Sequence, residues 1–472
     1  MTHVDSTANR PLIARMLSEW KTLFVLGGPI AVAQLAQMAN GVIDTIMSGH
    51  YSARDLAGVG IGNSLWVPLF LLFSGILAAL QPIVSGYRGA AEYPKIMPSI
   101  WQGIYIAMAA SAIMILLLTN VHPVLELLKL DAETARIAQG YLSAFAWGVP
   151  PILFTLTMRG LTDGLGHTRV IMVFSVLNTL INLPLNYILI YGKFGLPELG
   201  GVGCGWATAI ANWGAAIALM IYLNRSKTYS RFHLLSEWVK PRWQDIRYIL
   251  QLGVPIGFTM FIEVSMFSII ALFLAPLGPE VVAGHQIVLN ITSLTFMIPL
   301  SLGMALTLRV SYLVGADAMA KARLVARSSL LLAFGLSCLS APMLYFGRET
   351  IAALYTSDTA VQAIAIHLLM FAAIFQVADV IQVSAINALR GYRDTRIPML
   401  IMLVSFWGIC LPLGYVLTFT DLLGYKAGPA GFWIALIVGL TCASILLTYR
   451  LFRFRLPAHT KVVAGPESLT QP

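Results

Sequence analysis

LGVPIGFTMFIEVSMFSIIALFLAPLG, residues 252–278, stays apolar for about seven helical turns and carries one ionisable side chain, Glu263. A run of about 20 apolar residues crosses a bilayer as a helix. A carboxylate inside such a helix costs ~2.5 kcal/mol or more. No Lys or Arg shares the segment to neutralise it. Glu263 is therefore expected to face protein or water and to exchange a cation there.

The rest of the chain is of the same kind. Its 472 residues are 58% hydrophobic and 11% charged, with a mean hydropathy of +0.79. Soluble domains carry about 25% charged residues, so this composition implies an all-α, polytopic membrane protein. Apolar runs bounded by charge, Gly and Pro predict twelve spans. Their limits are 22–48, 56–86, 98–119, 138–158, 170–191, 201–223, 247–275, 281–308, 328–346, 361–388, 397–418 and 429–449. The net charge of +9 raises the possibility of a nucleic-acid partner, but the basic residues fall in short loops between spans, which excludes it. Of the 30 Lys and Arg, 24 lie on the side of the N-terminus; this places both termini in the cytoplasm. The polar start, Met1 to Trp20, precedes an apolar run too long for a signal-peptide core, so that run is expected to be retained. Cys204, Cys338, Cys410 and Cys442 lie in or beside spans without metal-ligand spacing and read as packing residues. No cofactor is expected.

The sequence repeats across its midpoint. Leu26-Gly-Gly-Pro29-Ile30 returns as Leu252-Gly-Val-Pro255-Ile256, 226 residues later. Ala57, Gly58 and Ile61 match Ala283, Gly284 and Ile287 at the same offset, and Ser85, Gly89 and Ala90 match Ser311, Gly315 and Ala316. Leu183-Pro-Leu-x-Tyr187 returns as Leu411-Pro-Leu-x-Tyr415, with the offset grown to 228. Each half holds an even number of spans, so the halves run the same way through the bilayer, the parallel repeat of transporters. The expected organisation is a segment 1–21, a six-helix bundle 22–223, a linker 224–246, a second bundle 247–453 and a tail 454–472.

Three acids are placed inside spans: Asp44, Glu263 and Asp379. Buried charges normally pair, and desolvation disfavours an unpaired one. These acids are therefore candidates for reversible binding of a proton, or of a metal cation such as Na⁺ held by Glu263 and Asp379. Gln376, Asp379 and Gln382 recur at i, i+3 and i+6, behind Phe375. Gln37 and Asn40 share a side of the first span with Asp44, and Asn178, Asn182 and Asn186 stripe the fifth, which Pro184 interrupts. Facing each other, these two stripes would line a polar pocket, although Asp44 lies toward the outer end of its span. His285 and Gln286 open the eighth span, where a histidine is more often interfacial. Glu263 corresponds to Gln37 across the repeat and Asp44 to Ile270, so the two bundles are expected to do different work.

Together these residues resemble the multidrug and toxic compound extrusion transporters, in their NorM-like bacterial branch. The resemblance rests on Val42-Ile-Asp44-Thr-Ile-Met47, Asn182-Leu-Pro-Leu-Asn186, Glu198-Leu-Gly-Gly-Val-Gly-Cys-Gly205, Pro255 to Glu263, Ala283-Gly-His-Gln286, Asp379 and Leu389-Arg-Gly-Tyr392. It covers essentially all twelve spans. It implies an antiporter, not an enzyme, of a bacterial inner membrane, acting as a monomer and expelling amphipathic, often cationic, compounds while H⁺ or Na⁺ runs inward. Glu263 and Asp379 match the family's cation-site acids, and Asp44 with Asn182 its polar cluster in the first bundle. A sodium-coupled relative carries Tyr where Phe375 stands, which favours protons here. A lipid-linked precursor flippase of related architecture is the alternative. It would need a cationic groove, whereas the deep charges read as acidic, with Arg159 and Arg390 at helix ends. No phosphate-binding loop of the G-x-x-x-x-G-K-[ST] kind points to ATP.

Overall fold

The computed structural model describes residues 11–127, 130–230, 232, 238–421 and 427–454. The predicted tail beyond 454, residues 1–10 of the N-terminal segment and part of the linker lie outside the described residues. The described residues contain twelve membrane spans. They are α1 (Leu12–Tyr51), α2 (Ala53–Gly89), α3 (Tyr93–Thr119), α4 (Ala132–Ala146 with Val149–Gly164), α5 (Arg169–Ile190) and α6 (Gly201–Arg225) in the first half. The second half holds α7 (Trp243–Leu277), α8 (Pro279–Gly315), α9 (Met319–Tyr355), α10 (Thr359–Gly391), α11 (Arg396–Phe419) and α12 (Ala430–Arg453).

Several helices overrun their predicted limits. α1 has 40 residues and α9 has 37, each longer than the ~20 that cross a bilayer. Hydropathy marks the part of a helix that lies in hydrocarbon, and charged end turns continue the same helix into water. α4 bends by 46°. Its break at Trp147 and Gly148 precedes Pro150 and Pro151, which lack the N–H groups that would tie the two pieces together. α11 widens to a π-helical stretch over Val404–Cys410, just before Pro412.

The apolar core divides as the repeat does, with one exchange. One cluster gathers the buried residues of the second half and takes in Leu23 and Ile30 of α1. Another gathers much of the first half and takes in Ile249 and Ile256 of α7. Leu23 and Ile30 are the 226-offset partners of Ile249 and Ile256. Each half thus lends its first helix to the other.

The close approaches repeat the same symmetry. A Cβ at Gly27 would meet Leu302 on α8, and one at Gly253 would meet Ile76 on α2; both partners again differ by 226. At the end of the molecule nearer the N-terminus, a Cβ on Gly89 would overlap the Tyr312 carbonyl, and one on Gly315 would overlap that of Gly86. Contacts of i with j and of i′ with j′ are what a two-fold relation produces. Here α2 and α8 pack backbone to backbone and shut that end. Ser85 Oγ donates to Leu308 O at 2.7 Å across the same seam.

Candidate functional site

Above that seam, between the halves, lies a cavity of about 590 Å³. The first half contributes Gln34, Gln37, Gln81 and Arg159, and the second Glu263, Gln286, Phe375, Asp379, Gln382 and Arg390. Phe375 stands one helical turn before Asp379 on α10, and Phe267 one turn after Glu263 on α7; both rings line the cavity. Glu263 on α7 and Asp379 on α10 line the same cavity, and Arg390 stands on that wall with them. Neither acid makes an ion pair with a described residue.

Gln376 departs from the face expected of it. It is buried toward α8, where its Oε1 lies 3.5 Å from the Thr295 hydroxyl, and it does not line the cavity. Gln376 lies within the arc of α10 that lines the cavity elsewhere, but at its level α8 covers that face at Thr295, so the neighbouring helix and not the period decides what reaches the opening. Gln382 keeps its place: its Nε2 donates to Met402 Sδ and its Oε1 has no hydrogen-bond partner among the described residues.

Asp44 and the asparagines form a separate site. Asp44 is buried among α1, α5 and α6, accepting from Asn186 Nδ2 at 2.6 Å and from Thr208 Oγ1 at 3.3 Å. Asn186 also donates to Asn182 Oδ1, and Asn182 to Thr208 Oγ1. Asn40 donates to Asn178, which donates to Asn212 on α6. The two stripes do meet, in a hydrogen-bonded network between α1, α5 and α6; Asn40, Asn178, Asn182 and Asn186 do not line the central cavity. Thr208 and Asn212 carry no signal in the sequence, since both sit in an ordinary apolar span.

Two expectations fail. Arg159 is not a loose helix-end residue: it is 5% exposed within α4 and on the cavity wall. Its Nε donates to Asp163 Oδ2 at 3.1 Å, its Nη1 to Gln34 Oε1 at 3.1 Å, and Gln81 Nε2 joins the same carboxylate oxygen at 3.2 Å. Asp163 is thus a further buried acid, in the last turn of α4. The i,i+4 spacing of Arg159 and Asp163 was the available signal. Arg390 does end α10, yet it too reaches the cavity, beside Asn387. His285 is likewise not interfacial: it is fully buried, and its Nδ1 accepts from Trp433 Nε1 at 3.2 Å. Helix position decides where a residue sits along the bilayer normal, and only packing decides how far it is from lipid and water.

The model of the MatE family matches this chain twice, over residues 29–188 and 255–416, which together are more than half of it. The chain belongs to the MatE family. The two matched segments start 226 residues apart and end 228 apart, the offsets of the internal repeat. This MatE chain is 41% identical over 435 residues to the probable multidrug resistance protein NorM of Idiomarina loihiensis, covering 92% of this chain and 94% of that one. It is 43% identical over 440 residues to the multidrug resistance protein PmpM of Pseudomonas aeruginosa, covering 93% and 92%. Among solved structures, the eukaryotic MATE transporter AtDTX14 superposes with a TM-score of 0.84 at 21% identity, over 93% of this chain and 97% of that one. The Vibrio cholerae MATE transporter VcmN in its bent form gives 0.82 at 19%, over 93% and 97%. These likenesses establish the twelve-span MATE fold.

Proposed function

We propose that this membrane transporter performs multidrug efflux, exchanging amphipathic, often cationic, organic compounds for inward-moving H⁺. The observation that carries the exchange is the pair Glu263 and Asp379, set together on a cavity between two symmetric halves with no fixed ion-pair partner among the described residues. A cation arriving from outside neutralises them and lowers the affinity for a cationic drug; the halves rock, load a drug from the cytoplasmic side, and return. The names of the relatives, multidrug resistance proteins, support the substrate breadth. Asp44, held by Asn186 and Thr208, is a second exchange point in the first half.

The shut seam at Gly86, Gly89 and Gly315 supports an outward-facing state, with both termini in the cytoplasm of a bacterium and the chain in its inner membrane. The chain works as a monomer built of two bundles, 22–223 and 247–453. Sodium has oxygens available at Glu263, Asp379 and the unpartnered Gln382 Oε1, but Phe375 adds no hydroxyl, so protons are favoured. At roughly 150 mV one inward proton supplies about 3.4 kcal/mol, enough for a gradient of about a few hundred-fold. A lipid pyrophosphate would need a cationic groove. Here Arg159 is already engaged by Asp163, and Arg390 shares its wall with two acids.

Proteoliposomes loaded with ethidium test the proposal, with pH and Na⁺ gradients imposed separately. A pH gradient alone is expected to drive uphill efflux. Uphill efflux under the Na⁺ gradient alone would reverse the ion assignment, and movement only down the dye's own gradient in both cases would make the protein a channel.

A further inference from the structure

We propose that His285 is a positioning residue: acting through Trp433, it sets the aromatic wall of the cavity and with it the preference for flat, aromatic cations. The inference rests on the reading that the cavity takes organic cations. His285 and Trp433 are both fully buried, on α8 and α12. An indole N–H can only donate, so the 3.2 Å contact leaves His285 Nδ1 as acceptor and puts the proton of the neutral ring on Nε2. That nitrogen has no hydrogen-bond partner among the described residues. A buried donor without a partner is costly, so this pair is a poor way to fill a core. At the repeat-equivalent positions the first half carries Val59 and Gly205, so the fold itself does not require the pair.

What the pair does is hold a ring. Trp433 meets Phe375 edge to face, with centroids 5.8 Å apart at 78°, and Phe375 meets Phe267 at 6.4 Å and 75°. Phe375 and Phe267 line the cavity; Trp433 and His285 do not. α7 and α10 run in opposite directions through the bilayer, so one turn after Glu263 and one turn before Asp379 lie at the same end. The two rings therefore form an aromatic step over the acid pair. A cation passing to the acids presents its face or edge to these rings, and flat aromatic cations gain most from such a surface. The next residue, Gln286, lines the cavity itself, so one turn of α8 touches the substrate space and braces its aromatic wall.

Transport of ethidium and of tetraethylammonium by full-length protein in proteoliposomes tests this. His285→Leu removes the acceptor and frees the indole, and is expected to raise the KM for ethidium about tenfold. The KM for tetraethylammonium, which meets the rings by cation–π attraction alone and cannot stack, should rise by no more than about threefold, and both kcat values should stay within about twofold. His285→Asn places an oxygen near the position of Nδ1 and should keep the ratio of the two KM values within about threefold of the native one. Trp433→Phe removes the donor from the other side of the same bond and should reproduce the His285→Leu shift, so the idea stays testable if one variant fails to insert. An unchanged KM ratio in both His285→Leu and Trp433→Phe, or an equal rise for both substrates, overturns the proposal while leaving the transport reading intact. Native protein that moves neither compound would instead sink that reading.

Discussion

A carboxylate in this chain does one of three things, depending on what packs against it. Asp163 is tied to Arg159 and Gln81 and serves as structure. Asp44 accepts from two neutral donors and sits in a hydrogen-bonded network. Glu263 and Asp379 line a cavity and lack a fixed counter-ion among the described residues. Glu263 and Asp379 can gain and lose a cation without dismantling a packed core, whereas exchange at Asp44 must break its hydrogen bonds from Asn186 and Thr208. Glu263→Gln and Asp379→Asn are each expected to abolish uphill ethidium transport in proteoliposomes, with membrane insertion unchanged on a blot of the washed membranes. Asp44→Asn differs: its new amide faces donors from Asn186 or Thr208, leaving a buried donor unmatched at a cost of about 1–3 kcal/mol. It should lower the melting temperature in detergent as well as the transport rate. Asp44, Glu263 and Asp379 were legible in the sequence because an ionisable group in an apolar run stands out; Asp163, just past the end of its predicted span, was not. Their sorting into roles was not, because the partners, Arg159 apart, come from other spans: Asn186 and Thr208 on α5 and α6, and Gln81 on α2.

Among the elements, α1 reaches furthest from its own half. Its first turns carry Glu19, 3% exposed, which accepts from Arg309 Nε at 2.8 Å and Nη2 at 3.0 Å and lies 3.1 Å from Lys321 Nζ. Trp20 Nε1 donates to Ser328 O nearby. Arg309 closes α8 and Lys321 opens α9, so this cluster ties the halves together at the shut end. Both cations are partly exposed, and solvent screening limits the cluster to about 1–2 kcal/mol. That is a factor of about 5–30 in a two-state population. Glu19→Gln should therefore speed labelling of a cysteine placed at Ser311, in a cysteine-free background, by about fivefold or more. An unchanged labelling rate would mean that the cluster does not bias opening. Hydropathy could not show this role, because the span it predicts starts at residue 22, after Glu19.

At the scale of the whole molecule, the two halves are joined by pseudo-equivalent contacts that are not equally rigid. Gly27 abuts the end of the Leu302 side chain, whereas Gly253 abuts the Ile76 backbone. A side chain can rotate away and a carbonyl in a helix cannot. Overpacking costs about 1–3 kcal/mol where nothing can yield. Gly253→Ala is expected to lower the thermal stability of the purified protein clearly more than Gly27→Ala, a comparison of two melting curves. Equal losses would mean that the halves yield by shifting as rigid bodies.

The number of spans, the internal repeat and the presence of lone acids follow from the sequence alone, because burying charge in hydrocarbon is expensive enough to leave a local mark on composition. The tertiary structure alone decided that Arg159 reaches the cavity, that His285 lies in a bundle core, and that the repeated Leu-Gly-x-Pro-Ile motif is the place where each half leans on the other. Those outcomes depend on which face of one helix meets which face of another. Lipid and protein interior are equally apolar, so the hydrophobic pattern of a span does not record that choice.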